Sequence, residues 1–288
     1  MHGKKVLLIF WASAALAGDF SGASALEFTA KIVSFGPRPP GSAAIRKLQH
    51  YIVTQLKTYR CEVSEDAFTA QTPVGPVSMT NIIAKFHGKS GRAIAFSGHY
   101  DTKVFRGFRF VGANDGGASA GFLLEMARVL AGKPRKDDVY LVWFDGEEAF
   151  GEWSATDGIY GSRHLAGKWS QDGTAQRLMA LINVDMIGDK DLEIRQEMNS
   201  AASVRRLVWQ TAAELGYSRQ FPNTQISIED DHMPFVRTGA PAIDLIDFSY
   251  GPNHSWWHTE QDTLDKLSAR SLQIVGDVLL EVLRRLEK

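Results

Sequence analysis

Residues 139–144 read Val-Tyr-Leu-Val-Trp-Phe, and the chain then turns at once into Asp145-Gly146-Glu147-Glu148. An unbroken apolar run of strand length belongs in a sheet covered on both faces. Carboxylates set at the end of such a strand are costly unless something pairs with them. A metal ion would pair with one of the two adjacent glutamates and leave the other free as a base.

Other apolar runs end in the same way. Residues 93–97 lead into Gly98-His99-Tyr100-Asp101, residues 179–184 lead into Asp185, and residues 242–246 form a further strand. Helical patterns lie between and around them. Ser42 is expected to cap an amphipathic helix carrying Ile45, Leu48, Ile52 and Leu56. Residues 116–130 read as a helix stopped by Gly132 and Pro134. Ser200 is expected to cap a helix closed by Gly216, and a last helix starts near Ser268 with Leu272, Val275, Leu279, Val282 and Leu286 on one side.

Strands alternating with helices predict an α/β fold. The expected architecture is a single domain with a central twisted, mostly parallel (mixed) sheet flanked by helices. No repeat, low-complexity tract or linker divides it. In open α/β sheets ligands sit at the carboxyl ends of the strands. His99, Asp101, Glu147, Glu148 and Asp185 collect there.

Composition narrows the chemistry. Of the 288 residues 44% are hydrophobic, enough for one large core. The net charge of −1 and pI near 6.7 give no basic field for nucleic acid. Cys61 is the single cysteine, which excludes an internal disulfide and any cysteine-rich zinc site. A metal here must use His, Asp and Glu.

The N-terminus differs from the rest. Lys4 and Lys5 precede an apolar run over residues 6–17, and Ala23-Ser24-Ala25 offers an A-x-A cleavage motif. The run is too short for a membrane span. We therefore expect a signal peptide over residues 1–25 and a catalytic domain over 26–288. The mature protein is expected to be periplasmic or secreted, without membrane association.

The candidate metal ligands are Asp115 in Gly112-Ala113-Asn114-Asp115-Gly116-Gly117, Glu148, and His258 in Trp256-Trp257-His258-Thr259. One histidine and two carboxylates leave the fourth tetrahedral position of zinc open. Each residue also has a plain reading by itself. Asp beside Gly-Gly is common in turns, and paired glutamates suit a helix N-terminus. Their combination at strand ends and in loops is what points to a site.

Several motifs then line up in order. They are Gly98-His99-Tyr100-Asp101-Thr102-Lys103, Phe110-Val111-Gly112-Ala113-Asn114-Asp115 and Phe144-Asp145-Gly146-Glu147-Glu148-Ala149-Phe150. Trp153, Tyr160-Gly161-Ser162-Arg163-His164-Leu165-Ala166, Asp185-Met186-Ile187-Gly188, Asp230-Asp231-His232-Met233-Pro234-Phe235 and Trp257-His258-Thr259 follow. In these the chain resembles the animal-type glutaminyl-peptide cyclotransferases, zinc enzymes with the zinc-aminopeptidase-like fold. The missing cysteine pair and short leader suggest a bacterial member.

The resemblance implies specific roles. Asp115, Glu148 and His258 match the family's zinc ligands, and one Zn2+ per chain is expected. Glu147 matches the general acid/base. Asp185 and Asp230 match catalytic carboxylates that hydrogen-bond around that glutamate and the substrate amine. Trp153, Ile228 and Trp257 match residues lining the glutamine pocket. The implied reaction converts N-terminal glutamine of peptides or proteins to pyroglutamate and releases ammonia. The enzyme is expected to act as a monomer on peptide N-termini. Some positions depart from the animal pattern. Asp244 stands where a His is usual, and Glu229 replaces a Gln beside Asp230. The segment 247–257 is longer, with no pocket Phe evident near Asn253.

Two other readings stay open on these residues. His99, Asp115, Glu148, Asp185 and His258 also make a ligand inventory for a di-zinc aminopeptidase, with Glu147 activating a metal-bound water. An inactive peptide-binding homologue is the third. Trp153, the 160–166 run and Asp230-Asp231-His232 favour cyclisation, and the intact ligand set favours an enzyme. Arg163 and His164 are expected to pack and hydrogen-bond structurally.

Overall fold

The computed structural model describes residues 20–288. The apolar leader run at 6–17 lies outside the described residues. Six strands form one sheet: β1 (Glu62–Thr72), β2 (Gly75–Phe86), β3 (Ala93–His99), β4 (Asp138–Phe144), β5 (Leu178–Asp185) and β8 (Ala242–Ile246). Their order is β1-β2-β4-β3-β5-β8. The pairs β3/β4, β3/β5 and β5/β8 are parallel, while β1/β2 and β2/β4 are antiparallel, so the sheet is mixed. Short strands β6 (Gln196–Glu197) and β7 (Gln225–Ile226) pair separately.

The four parallel strands carry the apolar runs. Every residue of β3, β4 and β8 is buried. Two cores explain this. One joins that sheet to helices α1 (Gly22–Val33), α2 (Ala43–Leu56), α3 (Gly117–Leu130), α6 (Ala202–Glu214) and α8 (Ala269–Leu286). The other, with Leu165, Trp169 and Phe235, lies under α4 (Tyr160–Gln171) and α7 (Met233–Arg237), beside the single-turn α5 (Thr174–Arg177).

Caps appear largely where the residue types put them. Ser42 accepts the N–H of Ile45 at 3.1 Å and Ser268 that of Arg270 at 3.1 Å. Ser200 does not cap α6. Its hydroxyl donates to Glu197 at 2.7 Å and accepts the Asp244 N–H at 3.1 Å, so a buried carboxylate outcompetes the helix end. In the hairpin β1/β2, β1 is largely exposed and has no apolar run, while β2 buries Ile82, Ile83 and Ala84. Arg163 donates to the carbonyls of Ala155 and Thr156, and His164 stacks on Phe68 at 4.3 Å.

Helix α1 is built into the domain from its first residue. Ser21 caps it by accepting the Ser24 N–H at 3.2 Å. Phe20 packs on Phe122, with centroids 4.8 Å apart, and fits only because residue 276 is glycine; a Cβ there would lie 2.2 Å from the ring. Ser21 N–H and Ser24 hydroxyl both donate to the fully buried Glu125, at 2.7 and 2.8 Å. Ala23-Ser24-Ala25 therefore lies in the first turn of α1, with Ala25 buried. Among the described residues no helix is long and apolar enough to cross a membrane.

Candidate active site

The carboxyl ends of β3, β4, β5 and β8 open on one cleft of about 450 Å³. Asp115, Glu147, Glu148, Trp153, Asp185, Ile228, Asp230, Trp257 and His258 all line it. The sheet gathers residues that the chain keeps far apart: β4 delivers the glutamates, β5 delivers Asp185, and the loop before α3 delivers Asp115.

Two glutamates in sequence point usefully only if the turn after β4 is held. Gly146 takes φ 73°, and a Cβ there would lie 2.6 Å from Met79 Sδ. Asp101, at the end of β3, accepts the N–H groups of Glu147 and Glu148 at 3.1 and 3.3 Å. Asp262 does the same for the facing loop, accepting Asn114 N–H at 2.8 Å and Asp115 N–H at 3.1 Å. Tyr250 hydroxyl donates to Asp262 at 2.7 Å. Arg38, fully buried, straps the same loop by donating to the carbonyls of Tyr100, Val111 and Gly112. Neither Arg38 nor Asp262 stood out in the sequence. Arg38 sits between two prolines, and Asp262 follows the His258 motif at a spacing with no local meaning.

Three ligand groups converge on the cleft wall. His258 Nε2 stands 3.2 Å from Asp115 Oδ2 and 3.1 Å from Glu148 Oε1. The ligand atoms of this triad all lie within 4.8 Å of one another. Asp115 Oδ2 is buried and, although 3.2 Å from His258 Nε2, is not in hydrogen-bonding geometry with it. One imidazole, two carboxylates and an orphaned oxygen fit a zinc-type ion with a position left open. A second triad, His99, Asp115 and Asp185, shares Asp115. His99 Nε2 lies 3.1 Å from Asp115 Oδ1 and 3.2 Å from Asp185 Oδ1. Only the first triad lies wholly on the cleft wall; His99 is buried behind it.

Electrostatics follow from burial without enough cations. Burial pushes the Glu147 carboxyl well above its usual range; His99 opposes this, and Glu148, Asp230 and Asp231 add to it. Burial also raises Asp185, to about 7, against the hydrogen bond from His99. Burial would lower His258, but contact with Asp115 and Glu148 more than reverses this and carries it to about 10. Asp244 is raised well above the carboxylate range by burial, with Asp230 and Asp185 nearby.

Asp185 does not hydrogen-bond Glu147 among the described residues. His99 stands between them: Nε2 faces Asp185, and Nδ1 lies 4.0 Å from Glu147 Oε2. No Phe stands near Asn253, and Phe248 lines the cleft there instead, beside Trp257 at 5.1 Å between centroids. Lys103, at the end of the Gly98–Lys103 motif, also lines the cleft, with Nζ 3.8 Å from Glu148 Oε2.

Residues 81–283 match the family described as peptidase family M28. The chain belongs to peptidase family M28. Within M28 it is similar to a glutaminyl-peptide cyclotransferase of Drosophila melanogaster, 32% identical over 252 residues, covering 78% of this chain and 70% of the relative. A crystal structure of an Acidobacteriales bacterium glutaminyl cyclase superposes with TM-score 0.90 and 39% identity, covering 99% of both chains. A zinc-dependent exopeptidase from Parabacteroides distasonis superposes with TM-score 0.82 and 26% identity, covering 93% of this chain and 99% of that one. The chain is thus similar both to glutaminyl cyclases and to an exopeptidase.

Proposed function

We propose that this chain is a zinc-dependent glutaminyl-peptide cyclotransferase, converting N-terminal glutamine of peptides and proteins to pyroglutamate with release of ammonia. The observation that carries this is the Asp115–Glu148–His258 triad on the wall of a Trp-lined cleft, with Glu147 beside it. Similarity to named cyclotransferases supports the same reading. Asp115, Glu148 and His258 would hold one Zn2+. When bound, it supplies Lewis-acid polarisation of the substrate's side-chain amide carbonyl.

The remaining work falls to the chain's own groups. Glu147 takes a proton from the substrate α-amine as that nitrogen forms its bond to the amide carbon. It returns the proton to the departing ammonia. Asp185 and Asp230, on the same cleft, hold the amine. Trp153, Ile228 and Trp257 fold the side chain back toward its own amine and keep water out. The reaction is intramolecular, so orientation supplies much of the acceleration. Water excluded by apolar walls cannot hydrolyse the amide instead.

The second triad, which shares Asp115, is the observation behind one competing reading, a two-metal aminopeptidase. Incubating the purified protein with Gln-first and Leu-first dipeptides separates the two. Cyclisation yields ammonia and pyroglutamyl peptide; aminopeptidase action yields free amino acids.

We also propose export to the periplasm or medium, with a leader removed and no membrane attachment afterwards. The packing of residues 20–25 supports a cut upstream of Phe20 rather than after Ala25. Cutting after Ala25 would strip the α1 cap, the buried Phe20 ring and two donors to Glu125. Ala15-Leu16-Ala17 supplies an A-x-A motif upstream, at the end of the apolar run. The catalytic domain would then begin at Gly18.

A further inference from the structure

Four rings follow one another along residues 248–258. Phe248 and His254 have centroids 4.4 Å apart, and His254 stacks on Trp257 at 4.9 Å with planes 28° apart. Trp257 stacks on His258 at 3.9 Å and 16°. His258 is a candidate metal ligand, and Trp257 and Phe248 are cleft walls. His254 is neither.

Its two ring nitrogens are buried and have no hydrogen-bond partner. A polar atom left so is a cost, which a role for the nitrogens would have removed. What His254 gives the structure is therefore its ring face. The backbone is bent to present it: Asn253 and His254 have φ 53° and 62°, in the left-handed region that side chains other than glycine seldom adopt. Such strain survives only where the surroundings over-determine the conformation. Here the surroundings are Phe248 and Trp257.

We propose that His254 is a positioning residue whose ring backs Trp257, fixes the indole plane against His258, and with Phe248 sets the width of the slot that receives the glutamine side chain. This rests on the cyclotransferase reading. The longer 247–257 segment thus supplies the aromatic wall by a stack. The ring acts on binding rather than on proton transfer, because among the described residues no hydrogen bond or ion pair joins the four rings to Glu147; His258 pairs with Glu148 instead.

The test compares His254→Ala with His254→Phe in the zinc-loaded full chain, on a Gln-first dipeptide. Aromatic pairs of this kind correspond to about 2–12-fold in an equilibrium constant. His254→Ala should raise KM by about that factor, with kcat and zinc content retained. His254→Phe should restore the wild-type KM, since it keeps the ring and loses only unused nitrogens. A second readout needs no turnover: the near-UV circular dichroism of the tryptophans should change in His254→Ala and return in His254→Phe. The change should vanish when both are made in a Trp257→Phe background. An unchanged KM and spectrum in His254→Ala overturns the proposal. So does an His254→Phe as impaired as His254→Ala, or a kcat that falls with KM unmoved. If the wild type forms no pyroglutamate, the functional reading fails, and the spectral contrast alone decides whether His254 positions Trp257.

Discussion

Asp101 holds Glu147 by its backbone, not by its side chain: Oδ1 accepts the Glu147 N–H at 3.1 Å. The same carboxylate takes the Glu148 N–H, so one residue at the end of β3 orients both glutamates at the end of β4. The Glu147 side chain is left outside this pairing and faces the cleft, with His99 Nδ1 4.0 Å from Oε2, where a base is needed.

That freedom sets the first expectation. Glu147→Gln should retain zinc and lose about 10²–10⁴-fold in turnover, since the amide keeps the shape but cannot accept the proton. Glu148→Ala and His258→Ala should lose zinc as well. Metal analysis beside steady-state kinetics reads both. Near-normal turnover in Glu147→Gln would place the base elsewhere.

Metal stoichiometry is expected to be one zinc per chain in the active protein. The Asp115–Glu148–His258 triad lies on the cleft, while His99 is buried behind it. Two zincs per chain, with activity tracking the second, would instead support the aminopeptidase reading.

Activity should rise with pH. The nucleophile is the neutral substrate amine, whose ordinary pKa is about 7.7–8.0. Glu147 must also be ionised; burial raises its carboxyl, and a zinc ion held by Glu148 would draw it back down. Removing the negative charge of Asp230, which helps raise Glu147, should move the acid limb of kcat/KM to lower pH. A limb that stays in place in Asp230→Asn would mean that Glu147 is not the group titrating.

Stability should carry its own pH signature at Asp247. Burial raises this carboxyl to about 7, although it accepts the N–H groups of Glu193 and Ser249. The unfolded group titrates near 3.9. Between these values the folded state holds a proton that the unfolded state has released. The stabilisation is therefore full below about pH 4 and is lost as pH rises through 7. Relative to Asp247→Asn, wild-type stability should fall by on the order of 4 kcal/mol between pH 4 and 8. Denaturant titrations at both ends measure it; a constant difference would refute it.

The mature N-terminus is expected at Gly18. Intact mass of exported protein checks this directly, a chain starting at Leu26 being the contrary result. Phe20→Ala should cost about 3–5 kcal/mol, as for a buried aromatic removed from a core. A chain begun at Leu26 should have a lower denaturation midpoint.

The apolar runs and the charges that end them were legible in the sequence, because strand length, side-chain burial and a following turn are all local matters. They were enough to predict the α/β fold and to place Glu147, Glu148 and Asp185 at strand ends; Asp115 and His258 were named from their loop motifs, and the roles of the set came from the family resemblance. What the sequence could not contain was distance. That His99 stands between Asp185 and Glu147, and that Asp101 and Asp262 hold the two loops, depends on the β4-β3-β5 order. That order is chosen by packing across the whole sheet. The same holds for Ala23-Ser24-Ala25, which satisfies a cleavage motif locally yet lies in a helix anchored by Phe20, Glu125 and Gly276. The His254 stack is a further case: an imidazole with no polar partner becomes a wall only when Phe248 and Trp257 are folded against it. Local pattern names the groups; long-range packing decides which of them meet.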